Sequence, residues 1–290
     1  MSNTALLNEV YSTNFKFSAQ PQIKTHYDEK NKAGWLLMRG EPRPCYTPAL
    51  LNDISHYFDT IKMEMENSNG EKYDYLISAS DVEGVFNLGG DLNLFIQYVK
   101  SRDRIGLIDY AIKSIDLVYR NFIHLNTDLT TITLVQGDAL GGGFESAISA
   151  NVVIAERGVK MGLPETLFNL FPGMGAYSLL SRKIGGSAAE KMILSGKLFL
   201  AEELFDLGIV SILAEKGEGE LAVYNYIKSA NRSPTTYSAM RKVKDICNQI
   251  NYKELKDIAM VWVDGALQLK DKDLRMMERL VRRQNVKIEV

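Results

Sequence analysis

The stretch GDALGGGFE, residues 137–145, sets three consecutive glycines directly before an acidic residue, Glu145. It follows the apolar run TTITLVQG (130–137), which reads as a buried strand, and it opens FESAISA, which reads as a helix. Glycine between a strand and a helix lets a ligand approach the backbone, and it leaves unpaired N–H groups at the positive end of the helix dipole. The same arrangement occurs earlier in the chain, where YDYLISAS (73–80) leads through VFNLGGD (85–91) into LNLFIQYVK. Asp91 is placed to cap that helix. If the two strands are neighbours, two amides converge on one oxygen atom and form an oxyanion hole, at about 3–4 kcal/mol of transition-state stabilisation per donor. The bland alternative is that the glycines only permit tight turns and close packing.

Outward from these turns, apolar strands alternate with helices. Strand-like runs lie around residues 22–27 and 35–39, joined by the polar turn DEKNKAG. Thr47 and Pro48 start a helix as N-cap and first-turn proline, with Leu50, Leu51, Ile54, Phe58 and Ile61 at helical spacing. A long helix is predicted over residues 105–125, with further strands near 152–155 and 159–162. Such alternation predicts an α/β domain with a substantially parallel sheet. From residue 175 onward, AYSLLSRKIG, SAAEKMILSG and AEELFDLGIV read as helices ended by glycine, followed by a short strand at 209–213 and helix to about residue 284. The expected organisation is a loosely ordered lead-in over 1–20, an α/β core over 21–215 and a helical C-terminal region over 216–290.

The 290 residues suffice for a full core without disulfides or metal. An apolar fraction of 46% and a charged fraction of 24% are ordinary for a globular protein. A net charge of −2 and a pI near 6.0 give no basic field toward nucleic acid or anionic membrane. No apolar run reaches the ~20 residues that span a bilayer, and the N-terminus lacks a signal-peptide pattern, so a cytoplasmic location is expected. Cys45 and Cys247 form no CxxC, and His26, His56 and His124 are scattered, so no metal is implied. Neither glycine turn supplies GxGxxG or GxxxxGK[ST], which argues against a dinucleotide or P-loop site.

Twenty residues after Glu145 a second carboxylate, Glu165, stands in MGLPET. Each acid taken alone can do no more than complement the start of a helix. Together, in apolar surroundings beside one glycine turn, they suggest a general acid/base pair. An oxyanion hole with two carboxylates suits chemistry through an enolate. A thioester carbonyl is polarised, a proton leaves the α-carbon, and a β-substituent is protonated and departs.

FNLGGDL, VQGDALGGGFE and MGLPETLFNLFPGMGAYSLLSRKIG resemble the successive signatures of the crotonase (enoyl-CoA hydratase/isomerase) superfamily, over residues 70–215. RPCYTPALLNDI (43–54), VFNLGGDLNLF, GMGAYS, MVWVDGALQL and MERLVRRQN extend the likeness across nearly the whole chain. Through them it is most similar to bacterial diffusible signal factor (DSF) synthases. The resemblance implies an α/β fold, a crotonase-like ββα spiral core with a helical C-terminal region. It implies that Gly90 and Gly142 supply the oxyanion N–H groups, with Leu88, Gly89, Leu140 and Gly141 beside them as substrate-binding residues. By analogy with hydratases run toward dehydration, Glu165 would take the α-proton and Glu145 would protonate the departing hydroxyl.

The activity so implied dehydrates a 3-hydroxyacyl thioester on acyl carrier protein (ACP), then hydrolyses the thioester to release a cis-2-unsaturated fatty acid quorum signal. No cofactor is implied beyond the carrier's phosphopantetheine. Leu167, Phe171, Met174 and Trp262 are expected to line an acyl tunnel, with core packing as the bland alternative for each. The implied partners are ACP, a membrane sensor kinase, and further copies of the chain in a trimer or hexamer. Two other readings stand beside this one: an enoyl-CoA hydratase of fatty-acid oxidation, and a regulatory protein that only binds the kinase.

Overall fold

The computed structural model describes residues 21–286, so the lead-in expected over 1–20 lies outside the described residues. The chain opens with β1 (Ile23–Asp28) and β2 (Ala33–Met38), an antiparallel hairpin, and α1 (Pro48–Asn67) leads on to β3. One pattern then recurs: a strand in a large sheet, a short strand in a second sheet, then helix. Its first pass is β3 (Tyr75–Ser80), β4 (Val85–Asn87), α2 (Leu92–Ser101) and α3 (Arg104–Phe122). Its second is β5 (Thr130–Val135), β6 (Asp138–Leu140) and α4 (Gly142–Ile148). The third is β7 (Val152–Glu156), β8 (Lys160–Gly162), a 3-10 turn at Pro164–Phe168, α5 (Ala176–Ile184) and α6 (Gly186–Ser195). There follow β9 (Leu198–Leu200), α7 (Ala201–Asp206) and β10 (Ile212–Ala214), then α8 (Gly219–Arg232), α9 (Pro234–Cys247), α10 (Tyr252–Ala266) and α11 (Asp271–Val286).

The large sheet has six strands in the order β1-β2-β3-β5-β7-β10, parallel from β2 onward. The smaller has four in the order β4-β6-β8-β9, with only β9 antiparallel. The spiral α/β fold expected from the sequence is the one observed. Its parallel strands are buried on both faces, so they read as continuous apolar runs rather than alternating ones. Leu76, Val135 and Val153 face a core that includes Leu50, Ile54 and Phe58 of α1 and Ile115 of α3. Ile77, Ile132, Leu134 and Ile154 face the other way, against Val223 and Ile227 of α8.

The expected caps form as well. The Thr47 side chain accepts from the Leu50 amide, and Asp91 accepts from the amides of Asn93 and Leu94. Nothing in the sequence pattern announces β4, β6 and β9, because three residues are too few to show a period of two. The strand expected at 209–213 forms as Ile212–Ala214. Among the described residues no helix is long and apolar enough to cross a membrane.

One contact ties the two glycine turns together. A Cβ added to Gly143 would lie 2.1 Å from the carbonyl oxygen of Asn87, so the first turn of α4 rests directly on the backbone of β4. Backbone cannot rotate away as a side chain can. Gly143→Ala is therefore expected to lose about 3 kcal/mol of stability in urea unfolding, the upper range for overpacking. A loss below about 0.5 kcal/mol, within the range of neutral surface changes, would show that α4 is free to lift off β4.

Candidate active site

Parallel pairing of β4 with β6 sets Val85 opposite Asp138 and Asn87 opposite Ala139, so the turns that follow these strands emerge side by side. A Cβ added to Gly142 would stand 3.6 Å from the Gly90 nitrogen, and one added to Gly89 would stand 3.1 Å from the Gly142 nitrogen. Among the described residues neither the Gly90 nor the Gly142 amide has a protein acceptor. The amides just before them are engaged. The Gly89 amide donates to Asn87 Oδ1 at 2.8 Å and the Gly141 amide to the Gly162 carbonyl at 2.8 Å.

Glu145 sits in the first turn of α4, 1% exposed. Its Oε1 accepts from the amides of Met174 (2.8 Å) and Ala176 (2.9 Å), where the chain enters α5. Burial pushes its pKa up, and these two donors pull back toward the carboxylate, leaving it at about 7. Glu165 arrives from the 3-10 turn after β8. As a residue it is half-buried, yet its Oε2 is sequestered without a hydrogen-bond partner. Its pKa is raised well above the ordinary carboxylate range, first by burial and then by the charge of Glu145. The dependence of one acid on the other marks a pair that titrates as a unit.

Gly141 explains how Glu165 reaches this position. It adopts φ 54°, and a Cβ there would lie 2.6 Å from Glu165 Oε1. The missing side chain is the space the carboxylate occupies.

The pair opens on a cavity of about 290 Å³, whose lining includes both glutamates, both glycine turns, Leu88 and Leu140. Of the expected tunnel residues, Leu167, Met174 and Trp262 line it as well. Phe171 does not: it packs half-buried against the core, because Leu170 and Pro172 on either side of it face the cavity in a segment without helical turn. Phe95, Tyr110 and Leu280 line the cavity without having been singled out in the sequence. Phe95 was the findable one, four residues after the capping Asp91. It stacks edge-on against Tyr110 (4.9 Å between centroids) and Trp262 (5.0 Å).

None of the three histidines lines the cavity; His124 is buried elsewhere against Asp245 at 3.1 Å. Among the described residues no cluster of three His, Cys, Asp or Glu side chains is placed to hold a metal ion.

Residues 64–245 match the family pattern described as Enoyl-CoA hydratase/isomerase. The mitochondrial methylglutaconyl-CoA hydratase of Mus musculus is 29% identical over 245 residues, which cover 82% of this chain and 73% of that protein. Among solved structures, an enoyl-CoA hydratase from Bacillus halodurans superposes with a TM-score of 0.72 at 21% identity, covering 89% of this chain and 99% of that one. Pseudomonas aeruginosa DspI superposes with a TM-score of 0.63 at 18% identity, covering 95% of this chain and 99% of that one.

The raised pKa values carry a stability consequence whose sign is fixed. Below the ordinary glutamate value of 4.5 the folded and unfolded chains both hold these protons, and there is no penalty. Above it the unfolded chain releases protons that the folded site retains, so stability falls as pH rises toward the folded pKa values. Glu165→Gln removes one such group. Its Tm is expected to exceed wild type near pH 8, by about 2–4 °C for each kcal/mol relieved, and to match wild type near pH 4. A lower Tm near pH 8 in differential scanning calorimetry would show that the Glu165 carboxyl is not held under strain.

Proposed function

Because the chain belongs to the enoyl-CoA hydratase/isomerase family and has the crotonase-like fold, we propose that it acts on an acyl thioester as a DSF synthase. In this reading it dehydrates a 3-hydroxyacyl-ACP and then hydrolyses the thioester, releasing a cis-2-unsaturated fatty acid. The observation that carries the proposal is the meeting of two buried carboxyl groups with two free amides, Gly90 and Gly142, in one apolar cavity. Residue-level likeness in RPCYTPALLNDI, VFNLGGDLNLF and MERLVRRQN supports the finer assignment within the family. So does the lining: among the described residues no Lys or Arg lines the cavity, which suits a carrier-borne acyl chain.

The two amides hold the thioester oxygen and stabilise the negative charge that grows there as the α C–H bond breaks. The electron pair of that bond forms the Cα–Cβ double bond. The β C–O bond breaks, and the hydroxyl leaves as water with a proton from the second glutamate. One proton shared by the pair is the correct starting load, one group ready to accept and the other ready to give. The amides of Met174 and Ala176 favour Glu145 as the ionised member. The division of labour implied by the resemblance, Glu165 as base and Glu145 as acid, therefore requires substrate binding to move the shared proton from Glu165 to Glu145.

Hydrolysis reuses the same groups. The hole holds the tetrahedral oxyanion, a glutamate takes a proton from the attacking water, and the C–S bond breaks to free the carrier thiol.

The deciding experiment offers the purified protein 3-hydroxyacyl-ACP and enoyl-CoA side by side, with free acids read by mass spectrometry. Free cis-2-enoic acid from the ACP substrate is expected, and Glu145→Ala or Glu165→Ala is expected to lower its rate by about 10²–10⁴. Rapid reversible hydration of the CoA ester, with no free acid from ACP, would instead identify a hydratase like the relatives named above. The pH dependence is a second check. Activity should rise as Glu145 loses its proton near pH 7 and fall again at higher pH, once the pair loses its second proton. A profile flat across that range would contradict the shared-proton mechanism.

A further inference from the structure

The oxyanion amide of Gly90 is only as useful as its aim, and the residues that aim it lie outside the glycine motif. The peptide joining Gly89 to Gly90 carries the donor N–H at one end and the Gly89 carbonyl at the other. That carbonyl accepts from the Tyr46 amide at 2.8 Å, while the Leu88 amide donates to the Pro44 carbonyl at 2.8 Å. Residues 44–46 thus run beside the loop as a short parallel splint, with Tyr46 bridged to Gly90. The next peptide, joining Gly90 to Asp91, is held differently. Its N–H donates to the hydroxyl of Tyr110 at 3.2 Å, and that hydroxyl donates in turn to the Tyr46 carbonyl.

Tyr110 comes from α3, far from both segments in sequence, and is 4% exposed. A Cβ added to Gly90 would stand 3.5 Å from its hydroxyl and 2.7 Å from Phe95 Cζ. Asp91 is fixed by its side chain as well, capping α2 and accepting from Arg43 at 2.9 Å and 3.0 Å.

We propose that Tyr110 is a positioning residue for the oxyanion hole, its hydroxyl bridging Tyr46 and Asp91 so that the peptides on either side of Gly90 are held in one orientation. This rests on the reading of Gly90 and Gly142 as the oxyanion donors. Tyr110 does not serve as a third donor or as an acid. Its single proton is committed to the Tyr46 carbonyl, and burial raises its pKa far beyond the tyrosine value, so the hydroxyl stays protonated. Nor is the bridge only one more buried hydrogen bond. Without it the Asp91 amide and the Tyr46 carbonyl are left to the slack pairing of the Tyr46–Gly90 bridge, and tightening that pairing shifts the Gly90 peptide; an amide displaced by a fraction of an ångström misses the carbonyl oxygen.

The test compares wild type, Tyr110→Phe and Tyr57→Phe. Tyr57 loses a hydrogen bond of the same kind, from a buried hydroxyl to the Trp35 carbonyl, and neither residue lines the cavity. The probe is a ketone analogue of acyl-pantetheine, with CH₂ in place of sulfur and ¹³C at the carbonyl, so that it binds without reacting. Infrared difference spectra report how strongly the hole polarises that carbonyl. Wild type is expected to shift the band to lower frequency than in water, and Tyr110→Phe to lose at least half of the shift. On a thioester substrate Tyr110→Phe is expected to lower kcat by about 10–100-fold, short of or equal to the loss of a whole donor, with KM little changed. Tyr57→Phe should change neither, even where its Tm falls as far.

A full wild-type shift in Tyr110→Phe overturns the proposal whatever that variant's stability. No shift in wild type overturns the oxyanion hole itself, a separate failure. If Tyr110→Phe does not fold, 3,5-difluorotyrosine at position 110 keeps the ring and hydroxyl but accepts more weakly from Asp91. A partial loss of shift is then expected, and an unchanged shift again overturns the proposal.

Discussion

Two carboxyl groups enclosed in one apolar cavity cannot both be charged, and much of the structure serves that constraint. No cation lines the cavity among the described residues to neutralise them. Burying a second unpaired carboxylate is among the costliest things a fold can do, so the site keeps a proton instead. Most of the polar support goes to one member, through the amides of Met174 and Ala176 on Glu145, while Glu165 has only its own backbone amide and keeps one sequestered oxygen without a partner. That asymmetry separates an acid from a base within a pair of chemically identical side chains.

The fold delivers these groups by repetition. Each pass of the spiral crosses the large sheet and then adds a strand to the small one. The ends of β4, β6 and β8 therefore supply, in order, the Gly90 amide, the Gly142 amide with Glu145, and Glu165. Glycine is needed where these ends crowd one another. Gly143 lets α4 rest on the backbone of β4, and Gly141 leaves room for the carboxylate of Glu165. The sequence distance between the glutamates is the chain used to run β7 and β8.

The parts of the site that depend on local chain chemistry are legible in the sequence. A glycine turn between a buried strand and a capped helix has one main structural reading, and two such turns with two acids in apolar surroundings narrowed the chemistry to acid/base work beside an oxyanion hole. The long parallel strands and the cap at Thr47 were equally open, because burial on both faces and first-turn proline leave marks in sequence. What stayed hidden depends on tertiary position. The three-residue strands of the small sheet have no period to read. Phe171 was placed in the cavity and Tyr110 was not, because which way a side chain points in an irregular segment, or across α3, is decided by packing. The splint formed by residues 44–46 is legible only as residue likeness; its pairing with the Gly89 carbonyl joins segments more than forty residues apart.

The central claim is that the folded site still holds one proton between Glu145 and Glu165 above pH 7, once Glu145 is ionised. Infrared spectroscopy of protein labelled with ¹³C at the glutamate carboxyls measures this directly, since a protonated carboxyl and a carboxylate absorb in separate regions. Near pH 8, above the value of about 7 to which Glu145 is pushed and where surface glutamates are ionised, the account predicts one carboxylic-acid band that persists in wild type and disappears in Glu165→Gln. A spectrum with every glutamate ionised at that pH, or an acid band untouched by replacing Glu165, would contradict it.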